Sequence, residues 1–151
     1  MWRPLWLKKF WKRGKFYMVD PKVHEINQWL VKAKNDLLSA ELLFKADPPL
    51  LDTAVYHCQQ VAEKALKAFL TYKEIPFQKI HHLTVLVEQS MEVDPTFEKL
   101  LDIADILTPY AVTFRYPGDV LEPEYDDVVE ALEVSRTVLV FVLSKIPDIS
   151  R

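Results

Sequence analysis

Residues 53–73, TAVYHCQQVAEKALKAFLTYK, decide the fold. Ala54/Val55, Cys58, Val61/Ala62, Ala65/Leu66 and Phe69 recur every three or four positions, the period of an α-helix buried along one stripe. The alanines on that stripe are small and let a neighbouring helix approach closely. Asp52 reads as the N-cap, and Ile75-Pro76 breaks the run.

The same grammar extends in both directions. Upstream, Asp20-Pro21 reads as a cap and a first helical residue, followed by Ile26, Leu30, Ala33, Leu37, Ala40 and Phe44 until Asp47-Pro48-Pro49. Downstream, a short helix over about His82–Met91 turns Leu83, Leu86 and Val87 inward. Asp94-Pro95 opens a further long helix to about Thr113, carrying Phe97, Leu100, Ala104, Leu107 and Ala111, which Pro109 should kink near Ile106. A loop follows Arg115, and a last helix spans Glu124–Lys145 with Val128, Leu132, Leu139 and Val142 inward. No segment alternates as a strand does. The spacing predicts an all-α protein: an antiparallel up-and-down bundle of four long helices plus one short helix.

Composition narrows the function. At 151 residues the chain fits one domain, and its 50% apolar content can fill a core. Two glycines cannot furnish the phosphate turns of dinucleotide-binding or P-loop proteins. One cysteine excludes an internal disulfide framework and a four-cysteine zinc site. No apolar run reaches membrane-spanning length, so no membrane insertion is expected and the reading is cytoplasmic.

Charge divides the chain in two. Residues 1–17 hold six basic residues, no acidic ones and three tryptophans (Trp2, Trp6, Trp11). Residues 18–151 hold 13 basic against 22 acidic residues, a net −9, which argues against general nucleic-acid binding. The first segment lacks the apolar core of a signal peptide. Its helical wheel half-separates Trp2, Trp6, Phe10 and Trp11 from Lys8, Lys12 and Lys15, but Arg3, Leu5 and Arg13 spoil the pattern. It reads as a flexible basic tail, or as sequence upstream of a true start at Met18, with the bundle domain over 18–151.

Tyr56-His57-Cys58-Gln59-Gln60-Val61-Ala62-Glu63-Lys64-Ala65-Leu66-Lys67-Ala68-Phe69-Leu70 strongly resembles the second helix of the HEPN domains, the higher-eukaryote and prokaryote nucleotide-binding family. Ile80-His81-His82-Leu83 resembles that family's His-Asp-Leu helix start, with His82 where Asp is usual. Leu107–Ala111 and Phe114–Gly118 resemble its late alanine-arginine-tyrosine-proline segment. The resemblance covers about residues 20–146. It implies a helical bundle, frequent homodimers and a minimal nucleotidyltransferase partner, in pairs that often act as toxin and antitoxin. Active HEPN ribonucleases resemble one another in an arginine followed after four to six residues by a histidine. Here those positions after Arg115 are Val120, Leu121 and Glu122, after Arg136 they are Phe141, Val142 and Leu143, and no histidine follows His82.

Among individual residues, Arg115-Tyr116-Pro117-Gly118-Asp119 stands out. It can be a helix stop, or a loop presenting a guanidinium and a ring for phosphate contact and stacking. Arg115, Tyr116 and Asp119 are the candidate phosphate or RNA contacts, with His57, Gln60, Glu63, Lys67 and His81 secondary. Glu63–Lys67 reads as an i,i+4 pair on the helix surface, and His57 as a structural histidine. His57, Cys58, His81 and His82 match no zinc spacing, so no metal and no cofactor are implied. The reading is a non-catalytic HEPN protein contacting RNA or nucleotide beside a nucleotidyltransferase. The alternatives are a metal-independent ribonuclease with an atypical site and a small-molecule nucleotide-binding module.

Overall fold

The computed structural model describes residues 9–12, 15–18, 20–118 and 121–147. Helix α1 runs Pro21–Lys45. Asp20 caps it, its carboxylate accepting from the Lys22 amide at 2.9 Å, and Pro21 sits where its missing N–H leaves nothing unbonded. Helix α2, Leu51–Tyr72, is the centre of the molecule. Fourteen of its 22 residues are buried, so it is walled by α1, by the shorter helices and by the last helix. Its start corrects the expected cap. Leu50 is the N-cap, and Asp52 lies inside the first turn, accepting from the Thr53 amide at 2.7 Å. The acid still faces the positive end of the helix.

Helix α3 is Leu83–Met91. The expected fourth long helix is absent. Asp94-Pro95 opens a 3-10 turn, Pro95–Leu100, followed by α4, Leu101–Leu107, and a second 3-10 turn, Thr108–Ala111. In the tighter winding residues three apart eclipse, and Phe97 and Leu100 both fall into the core. Phe97 meets Phe69 at 4.2 Å and Phe141 at 5.0 Å between ring centroids. Pro109 removes a donor and crowds the preceding turn, so the α-helical ladder stops at Leu107. Helix α5, Tyr125–Lys145, closes the bundle, with Asp127 accepting from the Glu124 amide at 2.8 Å. The bundle therefore has three long helices and two short ones.

A second difference lies before the bundle. Lys9–Lys12 (β1) and Lys15–Met18 (β2) pair antiparallel, Lys9 opposite Met18 and Lys12 opposite Lys15. This corrects the strand-free reading and removes the helical wheel over these residues. Phe10, Trp11, Phe16 and Tyr17 are residue types that favour extended backbone. Among the described residues no helix is long and apolar enough to cross a membrane.

Candidate functional site

The seam between α1 and α2 carries the polar chemistry. Asp36 lies on the inward stripe of α1 between Ala33 and Ala40, and is itself buried. Its Oδ1 meets His57 Nδ1 at 2.8 Å, and its Oδ2 accepts from Lys64 Nζ. His57 and Lys64 are seven residues apart, so both fall on the α1-facing side of α2. Burial pushes the Asp36 carboxyl up, but the hydrogen bonds from His57 and Lys64, with the Lys64 charge, outweigh it and hold it below the ordinary 3.8. With Nδ1 taken by Asp36, Nε2 is the His57 nitrogen left for a ligand.

Beside His57 lies the Arg115 loop. After the second 3-10 turn the chain coils back, the Thr113 amide donating to Pro109 O at 3.0 Å and the Arg115 amide to Val112 O at 3.2 Å. This lays the Arg115 guanidinium 4.5 Å over the ring centre of Tyr56 and 5.7 Å from that of Tyr116. A pocket of about 270 Å³ results, lined by Asp52, Thr53, Tyr56, His57, Phe114 and Arg115. The fold thus joins two candidates far apart in the sequence, His57 and Arg115. Tyr116 stands exposed at the rim, and Asp119 lies outside the described residues. A fixed guanidinium on an aromatic face, next to an oriented imidazole, can bind a phosphate and stack a base.

The other candidates form a separate network. Glu63 Oε1 accepts from Lys67 Nζ at 2.7 Å; its Oε2 meets His81 Nδ1 at 3.0 Å and accepts from Gln59 Nε2 at 3.1 Å and Gln60 Nε2 at 3.3 Å. The expected surface pair is therefore wrong: the Glu63 and Lys67 side chains are 5% and 7% exposed. The stripe of α2 is wider than its alanines suggest, because the 76–82 segment folds over this face and Gln59 also donates to His81 O at 3.2 Å. Burial raises the Glu63 carboxyl, but Lys67, His81 and Gln59 outweigh it and hold it below the ordinary 4.5.

Sequence reasoning passed over Asp36, Lys64 and Tyr56. A charge on the apolar stripe of α1 was the available signal for Asp36. Lys64 and Tyr56 carry none. Among the described residues no three His, Cys, Asp or Glu side chains converge as a metal site. His57 and His81 are engaged by different carboxylates, and burial pushes the Cys58 thiol up to about 12, so it is not a thiolate ligand.

A family model described as "HEPN domain" matches residues 26–146. Two solved structures are similar in fold. The crystal structure of TT1696 from Thermus thermophilus matches with a TM-score of 0.69 and 23% identity, covering 81% of this chain and 98% of that one. The crystal structure of ST0689, an archaeal HEPN homologue, matches with a TM-score of 0.64 and 23% identity, covering 80% and 96%. No curated protein matches the sequence.

Proposed function

The chain belongs to the HEPN domain family, and from that premise we propose that it is a non-catalytic member that contacts RNA or nucleotide phosphate through the Arg115 pocket. The observation that carries this reading is the Arg115 guanidinium stacked on Tyr56 in one pocket with His57. Arg115 offers a charge-assisted, bidentate donor set, and Tyr56 keeps it extended toward the pocket. The protein acts as a homodimer in the cytoplasm, beside a minimal nucleotidyltransferase, in a toxin–antitoxin-like pair. Exposed apolar residues on the outer faces of α1 and α5 support the dimer: Leu38 and Leu42 on one, Val140 and Leu143 on the other.

One observation favours a second reading, a metal-independent ribonuclease. His57 is oriented through Asp36 and shares its pocket with Arg115, which supplies an acid–base group the arginine-then-histidine spacing lacks. In that chemistry His57 Nε2 takes the proton of a 2′-hydroxyl, the 2′-oxygen bonds to phosphorus, and the P–O5′ bond breaks with the 5′-oxygen taking a proton from water, while Arg115 stabilises the phosphorane-like charge.

Purified protein incubated with total RNA in EDTA separates the two. The first reading expects no cleavage, and RNA affinity weakened about 10- to 150-fold by Arg115→Ala, the loss of about 1.5–3 kcal/mol. Cleavage abolished by both Arg115→Ala and His57→Ala overturns it in favour of the ribonuclease. RNA affinity unchanged in Arg115→Ala, with no cleavage, overturns both.

A further inference from the structure

The pocket that holds Arg115 and His57 also contains a carboxylate, and phosphate binding alone leaves it without a role. Asp52, in the first turn of α2, lines the same space of about 270 Å³ and is half-buried there. Its Oδ1 is occupied, accepting from the Thr53 amide at 2.7 Å and from the Thr53 hydroxyl at 3.2 Å. Its Oδ2 has no hydrogen-bond partner among the described residues. We propose that Asp52 selects the sugar: with a phosphodiester on Arg115, Asp52 Oδ2 accepts from the 2′-hydroxyl of the adjoining ribose, so the pocket takes an RNA strand in preference to DNA. The phosphate reading of Arg115 is the premise on which this rests.

Two groups in the pocket lack partners, and they are of opposite kind. Among the described residues no carboxylate lies within ion-pair distance of the Arg115 guanidinium, that of Asp52 included. The guanidinium rests on the Tyr56 ring, 4.5 Å from its centre, a contact made by its face that leaves the N–H donors at its edge open to an anion. The neighbouring acid is not available elsewhere either: Asp36, bonded to His57, is already paired with Lys64. A guanidinium calls for acceptors and a carboxylate for donors. A bare phosphate answers the first and is repelled by the second.

A ligand that carries an anion and a hydroxyl side by side answers both. In an RNA strand the 2′-hydroxyl and the 3′-phosphate stand on neighbouring carbons of one ribose, and this hydroxyl is the group by which a protein tells RNA from DNA. A DNA strand brings the same phosphate charge to Asp52 and offers no hydrogen bond in return. Asp52 is therefore a filter, favourable to one sugar and unfavourable to the other.

Fluorescence anisotropy of the full chain with one labelled single-stranded sequence tests this, the strand being made as RNA, as 2′-fluoro RNA and as DNA. The 2′-fluoro strand keeps an RNA-like sugar pucker but has no hydroxyl proton, which separates the hydrogen bond from backbone shape. RNA should bind at least about tenfold more tightly than either, the worth of a hydrogen bond to a charged group. Asp52→Ala should erase the preference from both sides, weakening RNA and strengthening 2′-fluoro RNA, because the repulsion leaves with the hydrogen bond. Arg115→Ala should weaken all three strands and leave their ratio unchanged. Equal binding of the three strands by the wild-type chain, or a preference that survives Asp52→Ala, overturns the proposal, and the phosphate reading still stands if Arg115→Ala weakens them. Affinity unmoved by Arg115→Ala for every strand removes the phosphate reading and the sugar filter with it. Adenosine 5′-monophosphate, whose phosphate is not on a carbon next to the 2′-hydroxyl, should not displace the RNA at about micromolar concentration; displacement there overturns the strand in favour of a free nucleotide. Should Asp52→Ala fail to fold, Asp52→Asn keeps an acceptor for the Thr53 amide, and the loss of charge should still narrow the ratio of RNA to 2′-fluoro RNA; an unchanged ratio overturns the proposal.

Discussion

Removing Lys67 alone takes the lysine charge from the buried Glu63 carboxylate and leaves it to His81 and the Gln59 and Gln60 amides. Breaking such a pair from one side costs about 3–5 kcal/mol, whereas neutral partners of similar shape are tolerated. Lys67→Met should therefore lose about that much in urea unfolding, and Glu63→Gln with Lys67→Met should recover most of it. The same carboxylates set the acid limit. Asp36 and Glu63 both titrate below their ordinary values in the fold, so the unfolded chain takes up protons first as pH falls. Their contribution is complete above about pH 5 and drains away as pH drops through the unfolded values toward the folded ones. Melting temperature should decline from about pH 5 to pH 3, more shallowly in the double variant; an equal slope would remove Glu63 from the account. At this scale the sequence was half legible. The i,i+4 spacing of Glu63 and Lys67 was readable, but their burial depends on the 76–82 segment covering them, and no local pattern reports that. The meeting of His57 with Arg115 is likewise a product of tertiary packing.

Helix ends were more legible than helix interiors, because caps act within a few residues. Asp20-Pro21, Glu124 and the stop before Pro48 read correctly from sequence. The 3-10 winding around α4 did not, since the apolar period over 97–111 suits either winding and the packing of Phe97 between Phe69 and Phe141 selects the tighter one. The end of α2 combines both cases. The Ile75 amide donates to Leu70 O at 2.9 Å and the Glu74 amide to Thr71 O at 3.1 Å, the paired bonds of a Schellman cap. Glu74 occupies the left-handed position at φ 57°, where a side chain costs about 1–2 kcal/mol and glycine almost none. Glu74→Gly also loses the exposed Lys22 ion pair, worth under about 1 kcal/mol. The net should be a gain of up to about 1 kcal/mol, a rise of about 2–4 °C in melting temperature. A fall on this substitution would mean that the Lys22 contact outweighs the backbone strain.

On the molecule as a whole, six of the exposed apolar residues gather on two neighbouring helices. Val31, Leu38 and Leu42 are exposed at i, i+7 and i+11 on α1, and Val129, Val140 and Leu143 at i, i+11 and i+14 on α5. Each set falls on one helical face. The Arg136 guanidinium donates twice to Glu41 Oε1, at 2.6 and 3.1 Å, tying the two helices side by side. A monomer leaves Leu42 and Val140 62% and 66% exposed, whereas a second copy packed on this face buries them twice over through two-fold symmetry. Sedimentation at about tens of micromolar should therefore give a dimer, and the wild-type melting temperature should fall on dilution. Leu42→Lys or Val140→Lys places a charge where the partner would pack, while leaving the exposed side chain of a monomer almost unaffected. Both variants should sediment as monomers whose melting no longer depends on concentration. A wild-type chain that is strictly monomeric would remove the dimer, and a dimer that survives both substitutions would move its interface to another face of the bundle.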